Sequence, residues 1–588
     1  MSLLGISFPD NVGIRYSDEL ISEVRYMGLD CCLLPFNLED DINTMRSPSC
    51  LSVLDENLDL SSLGLRVGKS TIELLSSENV ESLLLGEREF LFQFGYVCHL
   101  SIPLLCIPFQ ESLSDFFAST VKNLLLNSQG RVPTILFIVK TDHWQSWLRF
   151  SNKVGNSRNI VVGLELPDIY SDFSKWISQS LHSIFIPESA FILNKKNIPL
   201  LSPEHRNCVS KAFELNLKIF IKSETVEDFK VHVESLQLLN RPRDISAIER
   251  AANEYCDVLQ IPLQPLKDNL DAGTYSVFEA DPVKYIQYEK AITKALNDWK
   301  LKNANKTARI YVLGAGRGPL VNRAISASKT SNVDVEIVAL DKNPNAVVKL
   351  LTMKENEWKN ENVSVYEGDM RNFSHSKCDF LVSELLGSFG DNELSPECLD
   401  GCSQLMSSES VSIPANSVSY ISLVSSVTLF KNACALSFGS KGEHPLEIPY
   451  VVRYRNAVTL CKPRPVFSFI HPNVNNNDHS RYAKIEMKNE KHYNVVCHGF
   501  TGYFSSLLYD TISVSTVPGD ETTNMYSWFP MYFPTKEPFM LSPQSTCYVS
   551  LWRKCDRTRV WYEWCFETSN FSSSIHNSNG DSYSISIY

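Results

Sequence analysis

The stretch from Ala308 to Leu320 reads ARIYVLGAGRGPL and contains a complete strand, turn and helix start. Its first residues are an apolar, β-type run that favours a buried strand. Gly314, Gly316 and Gly318 follow, and glycine accepts positive φ and lets a ligand approach the backbone closely. Pro319 is a favoured first residue of a helix. The stretch therefore predicts the first strand and the ligand-binding glycine turn of a Rossmann-like α/β domain.

Three more apolar runs follow this stretch, and a polar side chain lies at or just after the end of each. The runs are Val335–Leu340, Val363–Tyr366 and Cys378–Val382. Asp341 ends the first, about 25 residues after the glycine turn, where an acid can bind ribose hydroxyls. Asp369 follows the second and Glu384 the third. Parallel strands bring such groups to one edge of a sheet, so the pattern predicts a nucleotide-type ligand there.

The glycine turn excludes two common nucleotide motifs. The dinucleotide fingerprint needs a third glycine where Pro319 stands, which disfavours an NAD-linked dehydrogenase, and the phosphate loop needs Gly-Lys-Ser/Thr, which is missing. A Gly-x-Gly turn with a ribose acid suits a ligand that has an adenosine but no pyrophosphate. S-adenosylmethionine fits that description.

The stretch from Ser383 to Glu397 reads SELLGSFGDNELSPE and carries the chemistry. Glu384 and Glu393 bracket a short loop at the C-terminal end of a predicted strand. Two carboxylates can grip one planar cation from two sides, and a guanidinium offers five fixed donors for such a fork. A solvated acidic turn is the simpler interpretation of one glutamate, but the second glutamate and the upstream nucleotide pattern favour a cation site.

These motifs, with others along the chain, resemble those of the type II protein arginine methyltransferases, the enzymes that make symmetric dimethylarginine. The matching segments are Leu263–Leu266, Thr274–Tyr275, Asp281–Tyr285, Gly314–Leu320, Lys342–Ala346, the double-glutamate loop, Pro449–Arg453, Tyr526–Pro530 and Val560–Trp564. The resemblance is dense from about residue 260 onward and thin before it. It implies three domains: a TIM-barrel-like domain, a Rossmann-like S-adenosylmethionine-dependent domain and a C-terminal β-barrel.

The resemblance and the motif positions together assign a set of donor-binding residues. They are Tyr275, Lys284, Tyr285, Gly314, Gly316, Arg317, Asp341, Asp369 and Met370. Asp341 is expected to bind the ribose hydroxyls, although it could instead cap the helix that follows. Asp369 is expected to bind the adenine amino group, with a turn aspartate as the alternative. Lys284, or else Arg317, is expected to pair with the donor's carboxylate; by itself a lysine is more often solvated.

On the acceptor side, Glu384 and Glu393 are the expected catalytic residues. The family places a phenylalanine beside the acceptor to steer the second methylation, and the matching residue is Phe278; the alternative is a core phenylalanine. Asymmetric relatives carry a Thr-His-Trp loop, whereas the comparable residues here include Ser527 and Trp528. The missing histidine favours the symmetric product, and Trp528 either stacks on the guanidinium or belongs to the β-domain core.

Composition narrows the partners and the compartment. The 588 residues are 43% hydrophobic and 21% charged with a formal net charge of -12, which argues against nucleic acid and suits basic protein tails. Sixteen cysteines lack CxxC pairs and zinc spacing, so no metal is expected. With no signal peptide, this predicts reduced thiols and a cytoplasmic and nuclear location. The uncharged stretch Phe90–Phe109 is interpreted as a helix end and a buried strand, not a membrane span.

The chain is predicted to divide at residues 243/244 and 413/414. Residues 1–243 alternate β-type runs with helical stretches, which predicts a parallel α/β domain, either a closed barrel or an open sheet; the resemblance implies the barrel. Residues 244–413 are a linker and the methyltransferase domain. Residues 414–588 predict an antiparallel β-barrel, with a sandwich as the alternative, for substrate binding and oligomerisation.

The leading functional hypothesis is transfer of methyl groups to protein arginines, giving monomethyl and symmetric dimethylarginine on histones and Arg/Gly-rich proteins of the spliceosomal Sm type. A catalytically silent scaffold is the alternative, and the intact glutamate pair argues against it. A nucleic-acid or small-molecule methyltransferase is disfavoured, because Asn/Asp-Pro-Pro-aromatic is missing after the fourth strand. The resemblance further implies a homo-oligomer and a WD40 propeller partner on the N-terminal domain.

Overall fold

The computed structural model describes residues 4–8, 24–36, 63–128, 132–168, 173–196, 198–222, 229–240, 245–437, 443–473 and 478–588. The chain forms two compact units. The first contains residues 1–244, 426–435 and 455–458, and the second contains residues 245–425, 436–454 and 459–588. The first unit's limit near residue 244 is compatible with the first predicted boundary, while the division at 413/414 stays a prediction.

The first unit is a closed barrel of parallel strands. They are β1 Leu4–Ser7, β2 Cys31–Pro35, β3 Leu63–Arg66, β4 Leu104–Pro108, β5 Thr134–Lys140, β6 Ile160–Glu165, β7 Leu181–Pro187 and, after the small hairpin of β8 Phe191–Leu193 and β9 Pro199–Leu201, β10 Lys218–Lys222. Strand β10 closes the ring on β1. The barrel that the resemblance implies is therefore confirmed, and the open-sheet alternative is wrong.

Helices alternate with these strands as the β/α pattern predicts. They are α1 Lys69–Leu75, α2 Val80–His99, α3 Asp115–Asn127, α4 Trp144–Val154, α5 Pro203–Glu214 and α6 Lys230–Gln237, with 3-10 turns at Ser174–Ser178 and Glu188–Ala190. Helix α2 and strand β4 divide the uncharged stretch Phe90–Phe109, which confirms its interpretation. Within the described segments, no helix is both long and apolar enough to span a bilayer.

Large rings fill the barrel interior because glycines leave room for them. Phe185 and Phe220 stack at 4.9 Å between ring centroids. A Cβ on Gly5 would lie 2.6 Å from the Phe220 ring, and one on Gly163 would lie 2.6 Å from the Phe185 ring. The barrel is thus a packed core of the kind found in TIM-type barrels rather than a channel.

The second unit begins with three helices and continues into a five-stranded parallel sheet with three more helices between its strands. The first three helices are α7 Ala247–Glu254, α8 Ala272–Ala280 and α9 Pro282–Lys302. The later ones are α10 Pro319–Ser331, α11 Pro344–Asn356 and α12 Ser395–Gly401, with 3-10 turns at Met370–Asn372 and Ser403–Leu405. The strands are β11 Ala308–Leu313, β12 Val335–Asp341, β13 Val363–Glu367, β14 Cys378–Val382 and β15 Met406–Ile413. Helix α10 starts at Pro319, as the glycine-turn motif predicts.

The order of the sheet is β13-β12-β11-β14-β15. The chain moves outward from β11 in one direction to β13 and then continues on the other side with β14, so the strand order reverses beside β11. In open α/β sheets the ligand crevice lies at the carboxyl ends of the strands at such a reversal. The Rossmann-like prediction is confirmed, and the four polar strand ends do share one edge.

The C-terminal part is antiparallel, as predicted, and its strands lie in two sheets. The elements are β16 Asn416–Ser425, α13 Val427–Cys434, β17 Tyr450–Val451, β18 Val458–Thr459, β19 Arg464–Ile470, β20 Arg481–Lys488, β21 Val495–Tyr509, β22 Ile512–Ser515, β23 Met531–Leu541, β24 Thr546–Cys555, β25 Arg559–Glu567 and β26 Ile585–Ser586, with 3-10 turns at Pro445–Glu447 and Ser578–Gly580. Strands β20, β24, β25 and β26 form the smaller sheet. Rings from both sheets meet, as Phe533 of β23 contacts Trp564 of β25 at 5.4 Å.

Candidate active site

The glycine turn after β11 forms the floor of the site. Gly314, Gly316 and Gly318 have φ values of 73°, 55° and 99°, a region that other residues rarely adopt. A Cβ on Gly314 would lie 2.9 Å from Leu385, and one on Gly318 would lie 2.7 Å from the Trp358 ring. The turn therefore requires glycine for both its backbone conformation and its close packing.

Asp341, at the end of β12, is tied to this turn. Its Oδ2 accepts a hydrogen bond from the Gly316 N–H at 2.7 Å, and its Oδ1 accepts one from the Asn343 N–H at 2.8 Å. Burial raises the pKa of this carboxyl, while the two backbone donors act to lower it. The residue that caps α11 is Asn343, whose side chain accepts from the Asn345 N–H, so the alternative that Asp341 is the helix cap is wrong.

One cavity collects most of the predicted residues at this sheet edge. The sequence-predicted residues that line it are Tyr275, Phe278, Tyr285, Gly314, Gly316, Arg317, Asp341, Asp369, Met370, Glu384 and Glu393. Lys284, Ser527 and Trp528 are not among the residues that line the cavity. Lys284 bonds to Glu384 of the lining, Ser527 bonds to Asp281, and Trp528 bonds to the Leu386 carbonyl. Both glutamates thus face the cavity that also contains the glycine turn and the ribose acid.

Two of the residues predicted to bind the methyl donor already have charged partners within the chain. Asp369 is bound by Arg371, whose Nε donates to Oδ1 at 3.0 Å and whose Nη2 donates to Oδ2 at 2.5 Å. Burial acts to raise the pKa of Asp369, but the Arg371 guanidinium lowers it overall. Arg317 donates to Glu279 at 2.8 and 2.5 Å, which raises its pKa. Arg317 is therefore neutralised by Glu279 before any carboxylate ligand arrives.

Tyr275 and Tyr285 both line the cavity that contains the glycine turn. A Cβ on Gly316 would lie 3.2 Å from the Tyr275 ring, so the ring packs against the bare backbone. Burial and then the Asp341 charge raise the pKa of Tyr275. Burial is also the main reason that the pKa of Tyr285 rises to about 12. Both phenols stay neutral near pH 7 and act as hydrogen-bonding groups rather than charges.

Lys284, on the first turn of α9, is bound to one of the predicted catalytic acids. Its ammonium donates to Glu384 Oε2 at 2.9 Å, and the residue is only 2% exposed. The Nζ atom also lies 5.6 Å from the Phe278 ring centre and 4.9 Å from those of Tyr285 and Trp528. Burial alone would lower the lysine pKa, yet the Glu384 carboxylate raises it overall. The structure thus gives Lys284 a partner other than the donor, and its pairing with the donor's carboxylate stays a prediction.

Glu393 differs from Glu384 because it lacks this close cation. Burial, with a further contribution from the Glu384 charge, raises the pKa of Glu393 to about 8, and Lys284 only partly opposes the shift. The pair therefore combines Glu384, which is bonded to a lysine, with a second carboxyl group whose raised pKa keeps it largely protonated near pH 7. An added cation between them would favour ionisation of Glu393.

The double-glutamate loop, residues 384–393, is held by its own hydrogen bonds. Gly387 and Gly390 exchange two backbone bonds, at 2.8 and 3.2 Å, as in a tight hairpin. The Asn392 Oδ1 accepts from the Phe389 N–H at 2.7 Å, and Asn392 fills the place where a Cβ on Gly387 would lie. This explains why a loop, normally the most mobile kind of segment, can hold two carboxylates in fixed positions.

Three family models match this chain along most of its length. The model described as the PRMT5 arginine-N-methyltransferase covers residues 246–413, the PRMT5 oligomerisation domain covers 416–585 and the PRMT5 TIM barrel domain covers 65–288. Protein arginine N-methyltransferase 5 of Xenopus laevis is 39% identical over 458 residues, 76% of this chain and 71% of that protein. The chain belongs to this family.

Other relatives show the same family relationship. Protein arginine N-methyltransferase skb1 of Schizosaccharomyces pombe is 32% identical over 559 residues, which are 88% of this chain and 87% of that protein. Among solved structures, the Trypanosoma brucei PRMT1 enzyme-prozyme heterotetrameric complex with AdoHcy has a TM-score of 0.43 at 13% identity, covering 54% of this chain and 99% of that one. The family relationship makes this chain a protein arginine N-methyltransferase by homology.

The methyl donor of this arginine methyltransferase is S-adenosylmethionine, and the cavity fits it. The bare glycine backbone, the Asp341 carboxylate and the Tyr275 ring leave the polar and flat surfaces that an adenosine needs, without a phosphate loop. When bound, the donor supplies an electrophilic methyl group on a sulfonium. Asp341 and Glu384 place acidic side chains on the same cavity, which suits this cation.

The site also uses residues to which the sequence analysis gave no role. Asp281 caps α9 and its Oδ2 accepts from the Tyr526 N–H at 2.7 Å and from the Ser527 hydroxyl at 2.8 Å. Trp528 Nε1 donates to the Leu386 carbonyl at 2.8 Å. The segment with Ser527 and Trp528 is thereby fastened to the helix that carries Lys284 and to the double-glutamate loop. An Asp-Pro pair at a helix start was the signal for Asp281, but its second bond joins residues about 245 positions apart.

The surroundings of Phe278 and Trp528 decide between their alternative roles. Helix α8, which carries Phe278, contains no buried residue, and Phe278 lines the cavity, so the alternative of a core phenylalanine is wrong. Trp528 is partly buried and meets Phe504 edge-on at 5.1 Å, while its ring also faces Lys284. The tryptophan therefore packs on the core and borders the cation-binding region at the same time.

Proposed function

We propose that this chain is a type II enzyme of its family, which transfers methyl groups to protein arginines and forms monomethyl and then symmetric dimethylarginine. The observation that carries the proposal is the arrangement of Glu384 and Glu393 on one cavity, next to an internal cation. Lys284 is held there by a carboxylate and lies within 6 Å of three aromatic ring centres. A region that stabilises an ammonium in this way has the charge and ring surfaces that a guanidinium requires.

The chemistry follows from what the two acids can do to a guanidinium. Each carboxylate would accept charge-assisted hydrogen bonds from it, which fixes the plane of the group and turns one terminal nitrogen toward the methyl donor. Orientation of two reactants is worth several orders of magnitude in rate. The carboxylates also draw positive charge toward the bonded N–H groups and leave the attacking nitrogen more nucleophilic. After transfer, the methylated nitrogen loses a proton to a carboxylate or to water.

The charge state of Glu393 fits the binding of two cations. In the free protein the pKa of this carboxyl is raised to about 8, mainly by burial. A guanidinium and a sulfonium would each favour its ionised form, so the second carboxylate becomes charged when both reactants are present. Uncompensated negative charge in the empty cavity is thereby limited, and attraction for the substrates is retained.

The symmetric product is supported by two positions that border the acceptor region. Phe278 is half-buried on α8, and its ring centre lies 5.6 Å from Lys284 Nζ. Its bulk would block a second methylation of the same nitrogen and direct it to the other terminal nitrogen. Ser527 stands where asymmetric relatives carry histidine. Its hydroxyl donates a hydrogen bond to Asp281 and is therefore not directed at the substrate arginine.

The proposal extends to substrates, partners and location. Arg/Gly-rich tails, as in spliceosomal Sm-type proteins, and histones are basic and suit a chain with a net charge of -12. The match of residues 416–585 to an oligomerisation domain supports a homo-oligomer. A WD40 propeller partner on the barrel unit and a cytoplasmic and nuclear location belong to the same proposal and are supported by family membership alone.

The test is incubation of the full chain with labelled S-adenosylmethionine and an Arg/Gly-rich peptide, followed by separation of the dimethylarginine isomers. Symmetric dimethylarginine is the expected product, and a peptide with lysine in place of arginine is the control. Asymmetric product would overturn the type II assignment. Donor binding without any transfer would favour the scaffold alternative.

A further inference from the structure

A cluster of buried ionisable side chains lies against the double-glutamate loop and takes no part in the proposed chemistry. Arg553 of β24 and Asp391 of the loop are both 0% exposed. Arg553 Nε donates to Asp391 Oδ2 at 2.5 Å, while its Nη1 and Nη2 donate to the two carboxylate oxygens of Glu397 at 2.8 and 3.0 Å. The Tyr562 hydroxyl of β25 donates to the same Asp391 Oδ2 at 2.6 Å.

These bonds grip the chain on both sides of Glu393. Asp391 precedes the catalytic glutamate by two residues, and Glu397 follows it on α12. The Leu394 N–H donates to the Asp391 carbonyl at 3.1 Å, so Glu393 lies within a turn that begins at Asp391. Ser419 also donates to Asp391 Oδ1 at 3.1 Å. The turn that carries Glu393 is thus fastened to β16, β24 and β25 of the antiparallel sheets.

Glu384, by contrast, is fixed from the parallel sheet. It follows β14 directly, the Ser383 N–H donates to the Ile413 carbonyl at 2.9 Å, and its own carboxylate is bound by Lys284. The two acids that face one cavity are therefore positioned by two different frameworks. Their separation depends on whatever joins the loop's far end to the antiparallel sheets, and Arg553 and Tyr562 are side chains that do so.

Stability alone gives no reason for an arginine at this position. Buried ion pairs lose so much hydration that apolar groups of the same volume are often as good or better for stability. What a forked guanidinium adds is direction, because its planar donors fit two carboxylates in only one geometry. A tyrosine hydroxyl on the same carboxylate oxygen restricts the geometry further.

We propose that Arg553 and Tyr562 are positioning residues that fix the place of Glu393 relative to Glu384. Through this placement, two residues of the antiparallel sheets affect the rate of methyl transfer. This inference rests on the proposed function, since it assigns both residues to the geometry of the same glutamate pair. Neither side chain lines the cavity; Tyr562 acts through Asp391, and Arg553 acts through Asp391 and Glu397.

The test compares two tyrosine-to-phenylalanine variants of the full chain. Tyr562→Phe removes one hydroxyl bond to Asp391, while the matched control, Tyr532→Phe, removes a similarly buried hydroxyl that donates to the His498 carbonyl at 2.8 Å. Tyr562→Phe is expected to lower kcat about tenfold, because small misplacements of an orienting group are costly. Donor affinity by calorimetry should stay unchanged in both, and Tyr532→Phe should keep kcat within about twofold.

Two further readouts separate positioning from general destabilisation. If Glu393 moves away from Glu384 and toward solvent, its pKa falls, so the midpoint of the kcat/KM–pH profile should move to lower pH in Tyr562→Phe and not in Tyr532→Phe. Hydrogen exchange in residues 387–394 should accelerate only in Tyr562→Phe. Arg553→Lys should lower kcat more than Tyr562→Phe does, because a lysine cannot bind both carboxylates with fixed, planar donors. If this variant fails to fold, the comparison of Tyr562→Phe with Tyr532→Phe still tests the inference.

Equal kcat, equal pH midpoints and equal exchange in the two tyrosine variants would overturn the inference. An inactive wild-type chain would instead overturn the proposed function, and hydrogen exchange alone would then judge whether Tyr562 fixes the loop.

Discussion

The barrel of the first unit and the parallel sheet of the second unit are built from the same strand–helix repeat, but they treat their polar strand ends differently. In the barrel, Arg66 at the end of β3 donates to Ser7 Oγ at 2.8 Å and to the Phe8 carbonyl at 2.6 Å. Lys222 at the end of β10 binds Glu165 at the end of β6 at 2.6 Å. Beside the parallel sheet, the loop after β14 carries Glu393, whose pKa burial raises to about 8.

The difference follows from closure of the sheet. A ring of strands filled by Phe185 and Phe220 leaves polar ends at the rim, where they pair with one another or with water. An open sheet whose strand order reverses beside β11 leaves a crevice between the two directions, and polar groups there face each other across it. Charged side chains form pairs in both regions, as Lys222 does with Glu165 and Lys284 with Glu384. The crevice differs because it also holds Glu393, whose pKa burial raises to about 8, and such a shift is typical of a site of chemistry.

The largest expected effect is loss of transfer in Glu384→Gln. The change removes a carboxylate that orients the acceptor and leaves Lys284 buried without its charged partner, so kcat should fall on the order of 10³-fold. Quantification of labelled peptide product measures the loss, and donor binding by calorimetry should persist. The matched change in the barrel, Glu165→Gln, should leave transfer unaltered; an equal loss there would contradict the contrast between the two regions.

The second prediction concerns pH. Because the pKa of Glu393 is raised to about 8 and the ionised form binds the acceptor, kcat/KM should fall as pH drops below 8, about tenfold per unit. Initial rates between pH 6 and 9, with peptide and donor each on the order of a tenth of KM so that the rate reports the free protein, measure this dependence. Glu393→Gln should be slow with no such acid limb. A wild-type profile that is flat over this range would show that Glu393 is ionised throughout.

The third prediction concerns the donor. Asp341→Ala removes the acceptor of the Gly316 N–H bond and the expected partner of the ribose hydroxyls, so the donor Kd should rise about 10- to 100-fold. Titration calorimetry with S-adenosylmethionine gives the value directly. Asp341→Asn keeps one amide oxygen as a hydrogen-bond acceptor, so its donor Kd should lie between those of the wild type and Asp341→Ala. A wild-type Kd in the alanine variant would remove Asp341 from the donor site.

A smaller effect on rate, but a change in product, is expected for Phe278→Met. Methionine is flexible and leaves room beside one terminal nitrogen, so asymmetric dimethylarginine should appear together with the symmetric isomer. Fragment-ion mass spectrometry of the methylated peptide distinguishes the two isomers. Val277→Met, at an exposed position of the same helix, is the control and should give the wild-type product.

The smallest effect belongs to the barrel. Lys222→Met breaks the pair with Glu165, but the lysine is 45% exposed, so water screens the interaction. The free energy of unfolding should change by less than about 1 kcal/mol, and methyl transfer should be unaltered. Urea unfolding and the peptide assay check both statements. A large loss of activity would mean that the barrel's paired strand ends contribute to catalysis.

The sequence by itself predicted the alternation of strands and helices in both parallel regions and, with the family resemblance, eleven of the residues that line the cavity. Apolar runs predicted the strands, and Pro319 and the glycines predicted the helix start and turn. Asp341, Asp369 and Glu384 were placed by their position after a strand, and Glu393 by its place across a short loop from Glu384. These signals are local, because a strand end or a turn is encoded within a few residues of chain.

The tertiary structure alone decided which charges meet. Lys284 and Glu384 are 100 residues apart, and Arg553 reaches Asp391 across 162 positions, so no local pattern could pair them. Closure of the barrel likewise depends on β10 returning to β1 across the length of the first unit. Burial and Coulomb interactions act through space rather than along the chain, which is why the sequence identified the two glutamates, and only the fold made one a partner of lysine and the other a weak acid.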